Sequence, residues 1–218
     1  MNEKILVTGG TGFVGSFVVE ALLRKGYRVT ALVRDIHHLK WLDGVEEVEY
    51  IEGDLNHIPD LPEGITRVVH LAGVTKESSR DAFMEGNVQT TSSLLARLRN
   101  SGLKPERFLF ISSQAACGPS LGSSPRVEDD ISSPLTWYGE SKLLAEQLVR
   151  EAEEWCPVTI IRPPTVYGPR DRDVYQVFRM LKLGLNVKNL YPAIHTIGYI
   201  EGITDNGGIC NLVKEPGR

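Results

Sequence analysis

Lys4-Ile-Leu-Val-Thr-Gly9-Gly-Thr-Gly12-Phe-Val-Gly15 is the stretch that decides the architecture. A short apolar run empties into glycines at three-residue spacing and then into helical periodicity. That order has a specific physical use. One glycine permits a tight turn, another lets the backbone approach a pyrophosphate, and a third lets helix pack on strand. The helix that follows presents unpaired N–H groups and a partial positive charge to the phosphates. Placed between a strand and a helix, the triplet predicts a floor for a dinucleotide rather than an idle turn.

Outward from this turn the chain alternates between two patterns. Short β-rich apolar runs occupy 4–8, 28–33, 46–51, 67–71, 107–111 and 158–161, and helical stretches occupy 12–25, 36–42, 80–100 and 136–155. Several strands are apolar throughout, as expected when both faces of a parallel sheet are covered. The alternation predicts an α/β fold, a Rossmann-like doubly wound parallel sheet with helices on both faces. The longest turn-rich segment, 112–134, is marked as functional by its position inside such a domain. Residues 1–187 read as the cofactor domain. The polar, weakly periodic stretch 188–218 reads as an atypical tail, the remnant of a substrate-binding region shortened by truncation or a frame shift.

A chain of 218 residues with 41% hydrophobic content suffices for one substantial core. The net charge of −4 offers no basic face for nucleic acid. No apolar run reaches the roughly 20 residues needed to span a bilayer, and Ile5-Leu6-Val7 is too short for the core of a secretion signal. Cys117, Cys156 and Cys210 fit neither a disulfide framework nor a zinc site. The adjacent His37 and His38 do not share a helical face, so no metal is expected. A cytoplasmic protein with reduced thiols is the expectation.

The end of the second strand bears on which nicotinamide cofactor is used. Asp or Glu there accepts from the free ribose hydroxyl, while Arg accommodates a 2′-phosphate. Here Val33 stands where the carboxylate would be, followed by Arg34 and Asp35. NADP is therefore favoured over NAD, since a guanidinium holds phosphate through paired charge-assisted bonds. The alternative is that Arg34 pairs with Asp35 at the surface. Asp54, after the third strand, is a candidate acceptor from the adenine amino group or else a solvated turn residue.

Tyr138 and Lys142 stand four residues apart at the start of a helix and so share a face. A neighbouring ammonium and the charge of the oxidised nicotinamide both favour the phenolate, lower the phenol pKa and suit the tyrosine to acid/base work. Ser113 follows the fifth strand, at the edge where ligands of open α/β sheets bind, and its hydroxyl can hold a reacting carbonyl oxygen.

In family order, Thr8 to Gly15, Gly53-Asp-Leu55, His70-Leu-Ala-Gly73, Asn87-Val-Gln-Thr-Thr91, Ile111-Ser-Ser113, Tyr138 to Lys142 and Arg162-Pro-Pro-Thr-Val-Tyr-Gly-Pro169 resemble an extended short-chain dehydrogenase/reductase over about residues 4–185. That group holds nucleotide-sugar epimerases and dehydratases, 3β-hydroxysteroid dehydrogenases and dihydroflavonol reductases. The resemblance implies that Ser113, Tyr138 and Lys142 are catalytic, with Asn87 in support. It places Gly9, Thr11, Gly12, Phe13, Val14, Gly15, Asp54, Leu55, Tyr138 and Lys142 at the cofactor, with Leu71, Ala72 and Gly73 lining it. Pro163 and Val166 would lie beside the nicotinamide. It also implies a homodimer through the helices 80–100 and 136–155.

Departures from the pattern narrow the chemistry. Ser113 is followed by Gln114-Ala115 where sugar dehydratases carry Asp-Glu, so dehydration lacks its acid and base. Pro163-Pro164-Thr165 replaces an asparagine that contacts substrate diphosphate in many nucleotide-sugar enzymes. Together with Arg34 these favour an NADPH-linked carbonyl reductase or hydroxy (3β-hydroxysteroid-like) dehydrogenase acting on a small-molecule carbonyl or alcohol. A nucleotide-sugar epimerase with retained NAD is the alternative, and a non-catalytic NADP-binding protein the second. Cys117, with nothing cationic in its local sequence, reads as a small buried thiol, and Lys76 as a solvated lysine.

Overall fold

The computed structural model describes residues 3–120, 126–184, 197–204 and 208–213. β1 (Lys4–Thr8) is buried at every position and is flanked by parallel partners on both sides. Its glycine turn leads into α1 (Phe13–Arg24), and β2 (Arg28–Val33) and β3 (Val48–Glu52) then extend the sheet outward. The chain returns to the other side of β1 as β4 (Ile65–His70). The helical turns α2 (Arg80–Phe83) and α3 (Thr90–Asn100) lead to β5 (Arg107–Ile111), and α4 (Trp137–Glu151) leads to β6 (Val158–Ile161). The strand order β3-β2-β1-β4-β5-β6, parallel throughout, is that of a doubly wound sheet. The order reverses between β1 and β4, where such folds open a crevice for ligands.

Side-chain alternation along β1 divides the core. Ile5 and Val7 pack towards Val18, Val19 and Leu22 of α1. Leu6 points to the other face, among Leu94 and Leu98 of α3, Phe108 and Phe110 of β5, and Ala145 and Val149 of α4. After β6 come β7 (Thr165–Tyr167) and α5 (Asp173–Lys182); β7 pairs in parallel with β8 (Ile197–Tyr199). Next are α6 (Ile200–Thr204) and α7 (Ile209–Leu212). Part of the tail expected to be atypical thus joins the core: Ile209, Cys210 and Val213 belong to the cluster around α1. Residues 188–196 of that tail lie outside the described residues. Among the described residues no helix is long and apolar enough to cross a membrane.

Four of the six expected strands have the expected bounds, and the other two shift by one or two residues. Two helices differ. The expected helix over 36–42 is reduced to a 3₁₀ turn, Lys40–Leu42. The Asp35 carboxylate accepts from the His37 amide at 2.8 Å and meets His38 Nδ1 at 2.5 Å, an Asx turn that competes with helix formation. The expected single helix over 80–100 is interrupted by a π-helical segment, Met84–Gln89. There the hydroxyls of Thr90 and Thr91 donate back to the carbonyls of Gly86 and Asn87, at 2.8 and 2.7 Å. Such π segments occur frequently at functional sites.

Candidate active site

The glycine turn takes its shape from backbone contacts. Gly9 has φ +74°, and a Cβ there would stand 2.6 Å from the Ala72 amide nitrogen. A Cβ on Gly15 would stand 2.1 Å from the Gly9 carbonyl oxygen. The turn therefore lies directly on the chain leaving β4. Beside it opens a cavity of about 650 Å³, within the range of small-molecule and cofactor sites. Its walls bring together nine of the expected cofactor residues: Gly9, Thr11, Gly12, Arg34, Asp54, Leu55, Leu71, Ala72 and Gly73.

The remaining expected cofactor residues, Tyr138 and Lys142 among them, do not line it. The Phe13 ring packs edge-on against Phe17, and Val14 packs against the core; neither these two nor Gly15 is among the residues lining the cavity. Pro163 lies at the end of β6, where its carbonyl accepts from the Gln114 amide at 3.0 Å, and Val166 sits in β7 opposite Gly198. Neither lines the cavity.

At the outer end of the cavity, β2 finishes in Val33, and Arg34 follows as an exposed wall residue. Asp35 turns to His37 and His38, so it is these histidines that engage its carboxylate. Lys40 joins Arg34 on the wall, held at φ +57°, a left-handed conformation uncommon for lysine. Sequence reasoning missed Lys40, because the Asx turn that carries it there reads as a weak helix. Asp54 Oδ1 accepts from the amides of Asn56 and His57, at 2.7 and 3.0 Å. The Asn56 bond leads in holding its carboxyl below the usual range, and the carboxylate also faces the cavity.

Gly73 marks the inner end. A Cβ there would stand 2.6 Å from Asn87 Oδ1 and 3.9 Å from Lys142 Nζ, so only a hydrogen fits between the cavity floor and the polar cluster behind it. Asn87 Oδ1 accepts from the Val74 amide at 2.8 Å, while its Nδ2 donates to Val74 O at 3.0 Å and to Ser141 Oγ at 2.9 Å. This buried side chain ties the cavity floor to α4. His70 supports the same region. Thr91 donates to Asn87 O and so accepts from His70 Nε2 at 3.0 Å; Thr8 Oγ1 accepts from the Ala72 amide and donates to His70 Nδ1 at 2.6 Å. The network thus assigns the ring proton to Nε2. Burial first, and Lys142 second, push the His70 pKa down to about 3, so the ring stays neutral.

Thr136 caps α4 by accepting from the Gly139 amide at 3.0 Å. Gly139 in turn lets the helix press on the turn after Ser113, because a Cβ there would stand 2.2 Å from the Ala115 carbonyl oxygen. This close approach brings the Tyr138 phenol near Ser113. The expectation that Lys142 lowers the phenol pKa is corrected. Burial raises the Tyr138 pKa, with the Ser113 bond opposing it in second place. The ammonium is committed elsewhere: Lys142 Nζ donates to Ile111 O at 2.8 Å and lies 4.3 Å from the Phe110 ring centre. Burial brings the Lys142 pKa down to about 8, against an upward influence from Glu146.

Cys117 also departs from expectation. It is half-buried, and Arg162, distant in sequence, brings Nη1 to 3.0 Å from its sulfur. Lys76, expected to be solvated, forms an exposed ion pair with Asp173 at the start of α5.

Residues 5–190 match the family model described as the NAD dependent epimerase/dehydratase family. The chain belongs to this family. A ceramide reductase of Caulobacter vibrioides (strain NA1000 / CB15N) is 33% identical over 180 residues, covering 81% of this chain and 50% of that protein. A UDP-glucose 4-epimerase of Vibrio cholerae is 38% identical over 182 residues, 78% of this chain and 53% of that one. Among solved structures, the UDP-glucuronic acid 4-epimerase from Bacillus cereus in complex with NAD superposes with a TM-score of 0.73 at 28% identity, covering 84% of this chain and 63% of that one. The chain spans about half the length of the first curated relatives it matches. The family member's cavity, with its glycine cradle at the floor and Arg34 and Lys40 on the outer wall, fits a nicotinamide dinucleotide.

Proposed function

We propose that this family member is an NADP-linked carbonyl reductase or hydroxy dehydrogenase acting on a small-molecule ketone or alcohol. The carrying observation is the pair of cations, Arg34 and Lys40, on the wall where β2 ends in Val33 instead of a carboxylate. Two cations at that edge suit a 2′-phosphate. When bound, the nicotinamide supplies or accepts the hydride. Ser113 holds the substrate oxygen by a hydrogen bond, and Tyr138 passes a proton to or from that oxygen. Lys142 contributes a buried positive charge one helical turn from the phenol.

Titration of the purified chain with NADPH and NADH, followed by NADPH consumption over a panel of ketones, tests this reading. NADPH binds about tenfold or more tightly than NADH, since a charge-assisted hydrogen bond contributes about 1.5–3 kcal/mol. Tyr138→Phe abolishes turnover while leaving cofactor affinity intact. Equal affinity for the two cofactors removes the cation argument, and absence of turnover with every ketone overturns the reductase reading.

The similarity to UDP-sugar epimerases supports a second reading, a nucleotide-sugar epimerase with retained NAD. It requires cofactor that survives purification and sugar inversion without net redox change; a chain purified free of cofactor counts against it. A homodimer is proposed through α3 and α4, which flank a surface groove of about 270 Å³ bearing Leu95, Ala96, Leu148 and Trp155. Sedimentation of the chain at monomer mass refutes that pairing.

A further inference from the structure

Behind the polar cluster lies a buried carboxylate that the proposed chemistry does not use. Glu146 follows Lys142 by one helical turn and is only 1% exposed. Its Oε1 accepts from Ser112 Oγ at 2.5 Å and from Arg162 Nε at 2.8 Å, and its Oε2 accepts from Arg162 Nη2 at 2.6 Å. Arg162 goes on to Cys117 Sγ at 3.0 Å and Ser132 Oγ at 3.2 Å. Ser112 adjoins Ser113, Arg162 adjoins Pro163, and Glu146 shares its helix with Tyr138 and Lys142. One carboxylate thus joins the end of β5, the end of β6 and the helix bearing the acid/base pair.

Stability alone is a poor account of such a pair. Desolvating two charges is costly, and apolar side chains of similar volume often fill a core at no loss. The charge also acts where water does not screen it, so its field reaches Lys142 at greater strength than at a surface. The groups facing Lys142 are few. Tyr138 and Glu146 lie on its own helix, the neutral His70 ring comes from β4, and β5 supplies the Ile111 carbonyl and the Phe110 ring. Asn87 stands across Gly73. Glu146 is the one anion in this set, and Arg162 engages both of its oxygens.

We propose that Glu146 is a positioning residue of this site: clamped by Arg162 and Ser112, it aligns Ser113 with Tyr138 and keeps Lys142 charged. The inference rests on Tyr138 and Lys142 being the acid/base pair, so its test has a readout that does not depend on turnover. The side-chain resonance of Lys142, assigned by its loss in Lys142→Met, is titrated by NMR in the full chain. In Glu146→Gln the titration midpoint falls by roughly one pH unit or more, because removing a nearby opposite charge disfavours the ammonium. Glu146→Asp, which keeps the charge, restores the midpoint towards that of the parent.

Breaking a buried pair can unfold a chain. Glu146→Gln combined with Arg162→Met strands neither charge; losing the guanidinium offsets part of the loss of the carboxylate, so the midpoint falls by less than in the single variant. An unchanged midpoint in either folded variant, or equal midpoints for the Gln and Asp variants, overturns the proposal. Where the parent reduces a ketone, Glu146→Gln also lowers kcat by about tenfold to a hundredfold, as a small misalignment does. Its alkaline limb moves to lower pH, with cofactor affinity unchanged. A parent that turns over no ketone refutes the proposed function, while the NMR midpoint still decides the role of Glu146.

Discussion

Gly139→Ala tests whether the close approach of α4 to the Ser113 turn matters. In an exposed helix this substitution stabilises by up to about 1 kcal/mol, because glycine is the poorer helix former. Here the added Cβ would stand 2.2 Å from the Ala115 carbonyl oxygen and 2.9 Å from its carbon, both main-chain atoms that no rotamer change can move. A carbon rests against a carbonyl oxygen at about 3.3 Å, so helix and turn must part by about 1 Å. Overpacking of this kind costs about 1–3 kcal/mol. Against the propensity gain, a net loss of about 1 kcal/mol remains, which lowers Tm by about 2–4 °C in a chain of this size. The functional effect is larger. The displacement falls on the contact between Ser113 and Tyr138, and a misplacement of about 1 Å can cost a hundredfold in rate. Calorimetry measures the first effect and steady-state ketone reduction the second, with NADPH affinity as the control that the cavity persists. A variant that melts at or above the parent temperature and turns over as fast would show that the contact between α4 and the 114–116 turn sets neither alignment nor stability.

Gly9→Ala combines a left-handed φ with a 2.6 Å approach to the Ala72 amide; it is expected to cost at least about 2 kcal/mol in calorimetry and to weaken dinucleotide binding in a fluorescence titration. Arg34→Ala raises the Kd for NADPH about tenfold or more while leaving that for NADH nearly unchanged, and Lys40→Ala acts in the same direction; equal losses for both cofactors would place these cations away from the 2′-phosphate. Burial lowers the Lys142 pKa from 10.5 to about 8, so between those values the unfolded chain binds more protons and folded-state stability rises with pH. Between pH 7.5 and 9.5 this linkage contributes about 1–2 kcal/mol, read as the denaturant midpoint of the parent relative to Lys142→Met; a parent with no such relative gain contradicts the burial of that ammonium.

What was legible in the sequence has a local cause. β1, β2, β5 and β6 are short apolar runs whose ends coincide with turn residues, so their bounds are written where they occur. The glycine cradle was legible because Gly9 and Gly15 meet backbone that no larger residue can approach. The Tyr138 and Lys142 spacing reported a shared helical face. By contrast, the 36–42 stretch misled because Asp35 captures His37 and His38 and so diverts a helical pattern into a turn. That same diversion carries Lys40 to the cavity wall. The neighbour of Cys117 was equally hidden: its guanidinium arrives from Arg162, at the far end of another strand.

Spacing along a helix reports which side chains are near one another, but the sign and size of their electrostatic effect depend on solvent exclusion and on third partners. Tyr138 and Lys142 show the difference. Their four-residue separation argues for a phenol made acidic by an ammonium, yet burial is the larger influence and raises the phenol instead. The ammonium is itself buried and turned to a carbonyl, and a carboxylate one turn further along opposes the effect of that burial. That carboxylate was within reach of sequence reasoning, since Glu146 follows Lys142 at the spacing of helical neighbours. Its partner was not, because only the sheet brings Arg162, just after β6, beside α4. Acid/base strength at this site is therefore a property of three converging strand and helix ends, of which the Tyr-x-x-x-Lys pattern records one.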